Sequence, residues 1–287
     1  MNTRFLTTFC AIAEAGSVAA AARQLNLATA SVSEQMRSLE KEVGAALIMR
    51  QGRGIVLTEA GQAILQGAKE ILAQVDDLRH AAQVGRLSGQ LRIGAISTAL
   101  ITIMPLALRR MAERHPGVEI KVVPGTSALL YRMLENGDLD CALAVEPPFT
   151  LPKGLGWEEV RKEPLTLVAP AAVRGTTVEE VLQAMPLIRM DRDAWTGRLI
   201  SAFLADHNLR PRELFELDAQ EAIVMLVAQG LGVTLLPDWG ITSPSAGPIR
   251  KLAIPSQRYA RSVGLTSRRG GRDTIVGLFT EALRHGL

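Results

Sequence analysis

Hydrophobic positions change their period along the chain, and each change predicts a different kind of element. In the first block Phe5, Leu6, Phe9, Ile12 and Ala13 recur at helical spacing, which predicts an amphipathic opening helix. Gly16 and Ser17 break it, and Ser17 is suited to cap a second helix from 18 to about 25. That helix holds the run Ala19, Ala20, Ala21 and Ala22, whose small side chains let another helix cross closely. After a short turn at Asn26, Leu27 and Ala28, a third helix is expected from about 29 to 43. Val32, Met36 and Leu39 face inward, and Gly44 is its stop. Two short helices joined by a tight turn and packed on a first one make a helix-turn-helix. The stretch from Arg50 to Thr58 then reads as a small β wing around a glycine-rich turn.

The second block, 59–86, has no proline and reads as one long helix. Ile64, Ala68, Ile71, Val75, Leu78 and Ala82 alternate in steps of four and three, a narrow seam that needs a partner helix to bury it. The simpler arrangement, a helix packed on its own domain, is the alternative. From about 90 onward, short apolar runs alternate with helical patterns. Extended runs fall at 90–96, 118–123, 139–145, 165–169, 187–189, 214–217 and 232–236. Helical ones pass through 108–113, 128–134, 178–185, 194–206, 221–229 and 274–283. This cadence predicts parallel-sheet α/β structure in two similar lobes, with the chain leaving the first lobe between Pro147 and Trp157. The fold class is therefore mixed: a helix-rich winged helix-turn-helix domain over 1–58, a linker helix over 59–88, and a two-lobed α/β domain over 89–287. Within the last, lobe I takes about 89–163 and 268–287, and lobe II about 164–267.

Composition narrows the classes. Apolar residues are 47% and charged residues 21% of the 287, the profile of a chain that folds. A net charge of +3 permits nucleic-acid binding without demanding it, because such binding depends on where the basic groups sit. The two cysteines, Cys10 and Cys141, lie far apart in apolar stretches and suggest buried thiols rather than a disulfide or metal site. No signal-peptide pattern opens the chain and no apolar run suffices for a membrane span, so a cytoplasmic protein is expected.

In the first block Phe9, Ala13-Glu14-Ala15-Gly16-Ser17, Ala21-Ala22, Leu25, Val32-Ser33, Gln35, Leu39-Glu40, Gly44, Leu47, Arg50 and Leu57-Thr58-Glu59-Ala60-Gly61 stand in one ungapped register. Together they closely resemble the signature of the LysR-type transcriptional regulators. The rest of the chain resembles that family's effector domain in order and length. Its best landmarks are Gly137-Asp138-Leu139-Asp140 and the run from Val227 to Pro237. The resemblance implies a regulator that binds double-stranded DNA at an interrupted palindrome and responds to a small effector. It also implies a homodimer or a homotetramer built as a dimer of dimers, acting with RNA polymerase at the promoter. No membrane partner and no cofactor are expected.

A recognition helix meets base edges through its N-terminal residues while flanking groups hold phosphates. The DNA-binding candidates are accordingly Thr29, Ala30, Ser31, Ser33, Glu34 and Arg37 on the third helix, Ser17 at the start of the second, and Arg50 and Arg53 on the wing. Arg37 suits guanine or phosphate, and Ala30 a thymine methyl. The family usually has Gln at position 29 and often Arg at position 34. Thr29 and Glu34 depart from that pattern and bear on base preference. Pairing of the linker helices is assigned to Ile64, Ile71, Val75 and Leu78.

In the large domain the resemblance implies an effector cleft between two lobes. Ligands of open α/β sheets bind beyond the carboxyl ends of strands, where helix N-termini present N–H groups. Ser97-Thr98 and Thr126-Ser127 follow two such strand ends and form a natural cradle for an anion, with Thr98 and Thr126 favoured by the family pattern. From the second lobe Asp191, Arg192 and Trp195, and then Asp218 and Ala219, occupy equivalent positions. Arg192 could pair with an anionic effector, Trp195 could stack on a ring, and Glu146 could lie at the lobe junction. Two other classes compete. A two-lobed solute-binding protein has no use for a helix-turn-helix. An enzyme needs a catalytic constellation, yet His80, His115, His207 and His285 are scattered and no nucleophile elbow, P-loop or metal-ligand spacing occurs. No catalytic and no metal-binding residues are assigned.

Overall fold

The computed structural model describes residues 1–52, 54–81, 89–242, 247–254, 256–268 and 273–284. Arg53 and the last seam position, Ala82, lie outside the described residues. The chain divides into two compact units, Met1–Gly89 and Gln90–Leu287.

In the first unit α1 (Thr3–Ala15), α2 (Val18–Gln24) and α3 (Thr29–Val43) pack around Phe9, Ile12, Val32, Met36, Leu39 and Leu47. Each of these large side chains contributes about 1.5–3 kcal/mol by leaving water. Local chemistry sets the helix ends. Asn2 accepts a hydrogen bond from the Arg4 amide, Ser17 Oγ accepts from the Ala20 amide, and Gly16 and Gly44 close their helices at φ of 63° and 81°. At those angles a side chain is strained, whereas glycine is not. The wing strands β1 (Ile48–Gln51) and β2 (Gly54–Leu57) pair antiparallel, with Ile48 opposite Leu57. The Glu40 carboxylate ties them to α3 by accepting from the amides of Leu47 (2.8 Å) and Ile48 (3.3 Å).

The helix α4 (Glu59–Ala81) begins against the wing. Gly61 sits so close to Leu47 that a Cβ there would lie 2.1 Å from the Leu47 carbonyl oxygen, so only glycine fits. The seam predicted from the sequence is split by the structure. Ala68 is buried, and Ile64 and Leu72 are packed on the core of their own domain, whereas Ile71 and Leu78 are 38% and 70% exposed. Ile64 is half-buried and turns part of its apolar surface to the core of the first unit.

The second unit holds β3 (Gly89–Ala95), α5 (Ser97–Thr102), α6 (Met104–Arg114), β4 (Val118–Pro124), α7 (Ser127–Glu135), β5 (Cys141–Val145) and the long β6 (Leu155–Pro170). After them come α8 (Val178–Ala184), β7 (Leu187–Met190), α9 (Trp195–Asp206), β8 (Glu213–Leu217), α10 (Gln220–Ala228), β9 (Thr234–Pro237), β10 (Ile249–Ala253), β11 (Ala260–Arg268) and α11 (Asp273–Arg284). Two buried cores define two lobes. Leu91, Ile93, Leu130, Leu143, Leu265 and Phe279 lie in the first; Leu167, Ile188, Phe203, Ile223, Val233 and Leu235 lie in the second.

One seven-stranded sheet, in the order β10-β6-β11-β5-β3-β4 with β9 also on β6, runs through both lobes. The sequence predicts a parallel sheet, and the structure corrects this to a mixed one. β3 with β5 and β7 with β8 are parallel, but β11 is antiparallel to β5 and β6, and β9 and β10 are antiparallel to β6. The reason is that the chain crosses between lobes on extended strands. β6 pairs with β11 at its start and with β9 and β10 at its end, and β11 brings the chain back. The expected lobe boundary at 267/268 is corrected accordingly, because β11 already pairs with lobe I from Val263 opposite Val145 to Ser267 opposite Cys141. Both cysteines are buried thiols; burial pushes Cys10 up to about 11 and raises Cys141 as well. Among the described residues no single helix is long and apolar enough to cross a membrane.

Candidate functional site

Two surfaces carry the candidate residues, one in each unit. On the helix-turn-helix, Thr29, Ala30, Glu34 and Arg37 are exposed along α3, with Ser31 and Ser33 half-buried beside them. Ser33 Oγ donates to the Thr29 carbonyl at 2.9 Å, so its proton is used within the helix. Ser17 Oγ is engaged as the α2 cap at 3.1 Å. Ala28 begins α3 without a capping side chain, which leaves its first-turn amides without a side-chain acceptor. Arg50 stands exposed on β1. Side-chain contacts hold α3 against α1 through Thr8 Oγ1 and Gln35 Oε1.

In the second unit a cavity of about 550 Å³ opens between the lobes. Of the residues singled out from the sequence, Ser97, Thr98, Thr126, Ser127, Asp191, Trp195, Asp218 and Ala219 line it. Helix starts from both lobes converge here: Ser97 and Ser127 begin α5 and α7 in the first lobe, Trp195 and Gln220 begin α9 and α10 in the second. Thr126 caps α7 by accepting from the Leu129 amide at 3.3 Å, and Ser127 Oγ accepts from the Val145 amide at 3.2 Å. The close approach of α9 to the end of β7 requires Gly197, since a Cβ there would lie 1.7 Å from the Asp191 carbonyl oxygen.

Two residues do not join the cavity. Arg192 is corrected: it does not line the cavity, and its guanidinium is held on the outside by Glu213 and, at 3.4 Å, by Glu216. Glu146 is exposed and not part of the lining, although its amide donates to the Ser262 carbonyl.

The cationic group at the cavity is Arg261, on β11, only 4% exposed. Its Nε donates to Glu163 Oε2 at 2.7 Å, its Nη2 to Thr98 Oγ1 at 3.0 Å, and its Nη1 to Thr196 Oγ1 at 3.0 Å. Thr98 belongs to lobe I and Thr196 to lobe II, so one guanidinium touches the first turn of a helix in each. Glu163, fully buried on β6, also accepts from Arg161 Nε at 2.9 Å. Arg161 Nη2 continues to Thr102 Oγ1 at 3.1 Å. Two arginines thus share one carboxylate, and this triad carries one net positive charge at the back of the cavity.

The lobe II wall has the opposite character. Asp191, Asp193 and Asp218 line it, and the Asp218 carboxyl is raised above its ordinary range by partial desolvation and by the neighbouring charges of Asp191 and Glu221. Gln220 is buried beside them with no partner for its Oε1. At the mouth Trp195 meets Phe149 edge-on at 5.8 Å, and Phe149 meets Tyr131 at 4.9 Å. The sequence reading stops at Trp195 and misses Thr196, although Thr196 obeys the same strand-then-helix grammar that pointed to Ser97 and Thr98. Arg261 and Glu163 were not legible, because both sit on strands that no apolar run announced.

Two family models match the chain. The LysR substrate binding domain covers residues 85–287, and the bacterial regulatory helix-turn-helix protein, lysR family, covers residues 3–62. The HTH-type transcriptional regulator IlvY of Escherichia coli (strain K12) is 32% identical over 265 residues, spanning 90% of this chain and 89% of that one. The HTH-type transcriptional activator CmpR of Synechocystis is 31% identical over 88% of this chain and 85% of its own. In fold the chain is similar to a full-length OxyR variant from Pseudomonas aeruginosa, with a TM-score of 0.75 at 22% identity over 99% of this chain and 95% of that one. It is also similar to full-length CbnR complexed with its target DNA, with a TM-score of 0.63 at 24% identity over the whole of both chains.

Proposed function

We propose, for a chain that belongs to the LysR family of DNA-binding transcriptional regulators, that its effector is a small carboxylate bearing a hydrogen-bond donor at the other end. The observation that carries this is the polarity of the cavity. One side gathers the Ser97, Thr98 and Thr126 hydroxyls and the Arg261 guanidinium, all able to donate. The other gathers Asp191, Asp193 and Asp218, which accept. A carboxylate meets the first side, and a hydroxyl or ammonium meets the second. A plain anion of uniform charge would face three carboxylates across a narrow space, which costs affinity.

The helix-turn-helix domain binds DNA and the second unit is its effector-binding domain. On the DNA side we assign the reading face to Thr29, Ala30, Ser31, Glu34 and Arg37, with Arg50 and Arg53 on phosphates or the minor groove. Two copies joined through the exposed half of α4, at Ile71 and Leu78, would present two α3 helices to an interrupted palindrome. Further contacts would make a tetramer that acts with RNA polymerase in the cytoplasm, without catalytic turnover. Effector and DNA are coupled if the effector binds one assembly state better by about 1–3 kcal/mol.

The test is a footprint of the full-length protein on the DNA upstream of its own gene, with and without a pool of small hydroxy and amino acids. The expected outcome is a protected palindromic region whose extent shifts with the pool. Protection that responds only to neutral compounds, or to none of the pool, would remove the carboxylate from the reading.

A further inference from the structure

Arg261 joins the two lobes through the weakest class of partner available to it. Its Nη1 and Nη2 donate at 3.0 Å to Thr196 and Thr98, two neutral hydroxyls from opposite lobes, 3% and 1% exposed. A guanidinium fork matches the two oxygens of a carboxylate, and charge-assisted bonds of that kind are roughly twice as strong as neutral ones. Arg261 itself is held from behind: Glu163 accepts its Nε at 2.7 Å and also accepts from Arg161, which Thr102 holds in turn. The guanidinium is therefore aimed and backed, while the two hydroxyls in front of it are replaceable. Both threonines also line the cavity, together with Arg261.

We infer that Arg261 ties the two lobes together, and that the effector carboxylate undoes this tie by taking the place of the Thr98 and Thr196 hydroxyls on the guanidinium. This rests on the carboxylate reading of the cavity. In the exchange Thr98 reverses its role, accepting from Arg261 without ligand and donating to the carboxylate with it, whereas Thr196 is only released from the guanidinium. Insertion of a carboxylate between Arg261 and the threonines separates the first turns of α5 and α9 from β11. The direct tie between lobes becomes one that runs through the ligand. Helices α5 and α9 belong to different lobes, so occupancy is written into the lobe arrangement at its hinge strands, β6 and β11. Trp195, packed against the lobe I core and edge-on to Phe149, continues to link the first turn of α9 to lobe I.

The test uses full-length protein, titration calorimetry, and lactate against its neutral isostere lactamide as probes. Wild type is expected to bind lactate and not lactamide. Thr196→Val removes one competitor for the guanidinium and keeps the shape of a buried residue. It is expected to bind lactate about five-fold tighter, the factor that one exchanged neutral hydrogen bond sets. Its α9 first-turn amides, without lactate, are expected to exchange deuterium as fast as those of lactate-saturated wild type. Arg261→Gln is expected to lose roughly ten-fold or more in lactate affinity, and Arg261→Lys, which keeps the charge without the fork, to fall between.

If Thr196→Val binds lactate equally or more weakly and its exchange is unaltered, the tie is overturned. Lactate binding that survives both Arg261 variants overturns the Arg261 assignment alone, leaving the cavity reading in place. Wild type that ignores lactate while Thr196→Val still loosens α9 overturns the exchange by locating the failure in the carboxylate reading. The lysine and valine variants keep the test decisive if Arg261→Gln, which strips Glu163 of one partner, does not fold.

Discussion

Asp218 faces the cavity from the turn before α10 and sits beside Asp191 and Glu221 with part of its hydration removed. Folding brings like charges together there, so its carboxyl is raised. The sign follows from linkage: the folded domain binds this proton more tightly than the unfolded chain does. The contribution is fully present below the ordinary aspartate range and is lost as pH rises through the raised value. At neutral pH Asp218 therefore works only slightly against stability, because the residue is exposed and solvent screens its neighbours' charges. Asp218→Asn is expected to raise the urea midpoint slightly at neutral pH and leave it unchanged at acid pH, while weakening lactate binding. A variant that lost stability at neutral pH would assign Asp218 to the fold instead of the ligand.

At the scale of elements, what the sequence announces is periodicity, and what it conceals is strands whose polar residues are buried. The three helices of the first unit, their caps Ser17 and Gly44, and the wing were legible because each carries a local signal. So were the helix starts at Ser97, Ser127, Trp195 and Gln220, because a strand ending in hydroxyl or small residues before a helical run has few alternatives. β11 was not legible: it places Arg261, Val263 and Leu265 inward, and a buried arginine reads as a surface residue until Glu163 is known to face it. The first half of β6 was hidden for the same reason.

The linker helix shows the ambiguity from the other side. A four–three seam does not say which of its members find partners at home, and Ile64 and Ala68 do while Ile71 and Leu78 do not. Ile71→Asp with Leu78→Asp is thus expected to shift the assembly toward monomer in sedimentation velocity with far-UV circular dichroism retained. Ile64→Asp is expected to lower the melting temperature of the first unit instead, since it places a charge on a packed core. If Ile64→Asp dissociated the assembly without loss of stability, the division of the seam would be wrong.

At the scale of the whole molecule, two-fold symmetry turns a local surface into a geometric requirement on DNA. A single α3 offers one exposed arginine, Arg37, and short side chains such as Thr29 and Ala30, which is too little for tight, selective binding alone. Joined copies present two such faces at a fixed separation, so affinity depends on whether both half-sites lie on one side of the helix. Inserting about five base pairs between the half-sites turns one of them to the opposite face, and inserting about ten restores the face. Mobility-shift titration is therefore expected to show binding falling toward that of a lone half-site with the first insertion and recovering in large part with the second. The recovery is the discriminating half of the experiment. A pair held by a soft connection would lose little with either insertion, and a rigid one would lose with both. Loss followed by recovery requires copies held in rotational register yet able to stretch along the duplex, a degree of freedom through which a ligand-driven change in the effector domains could reach the DNA.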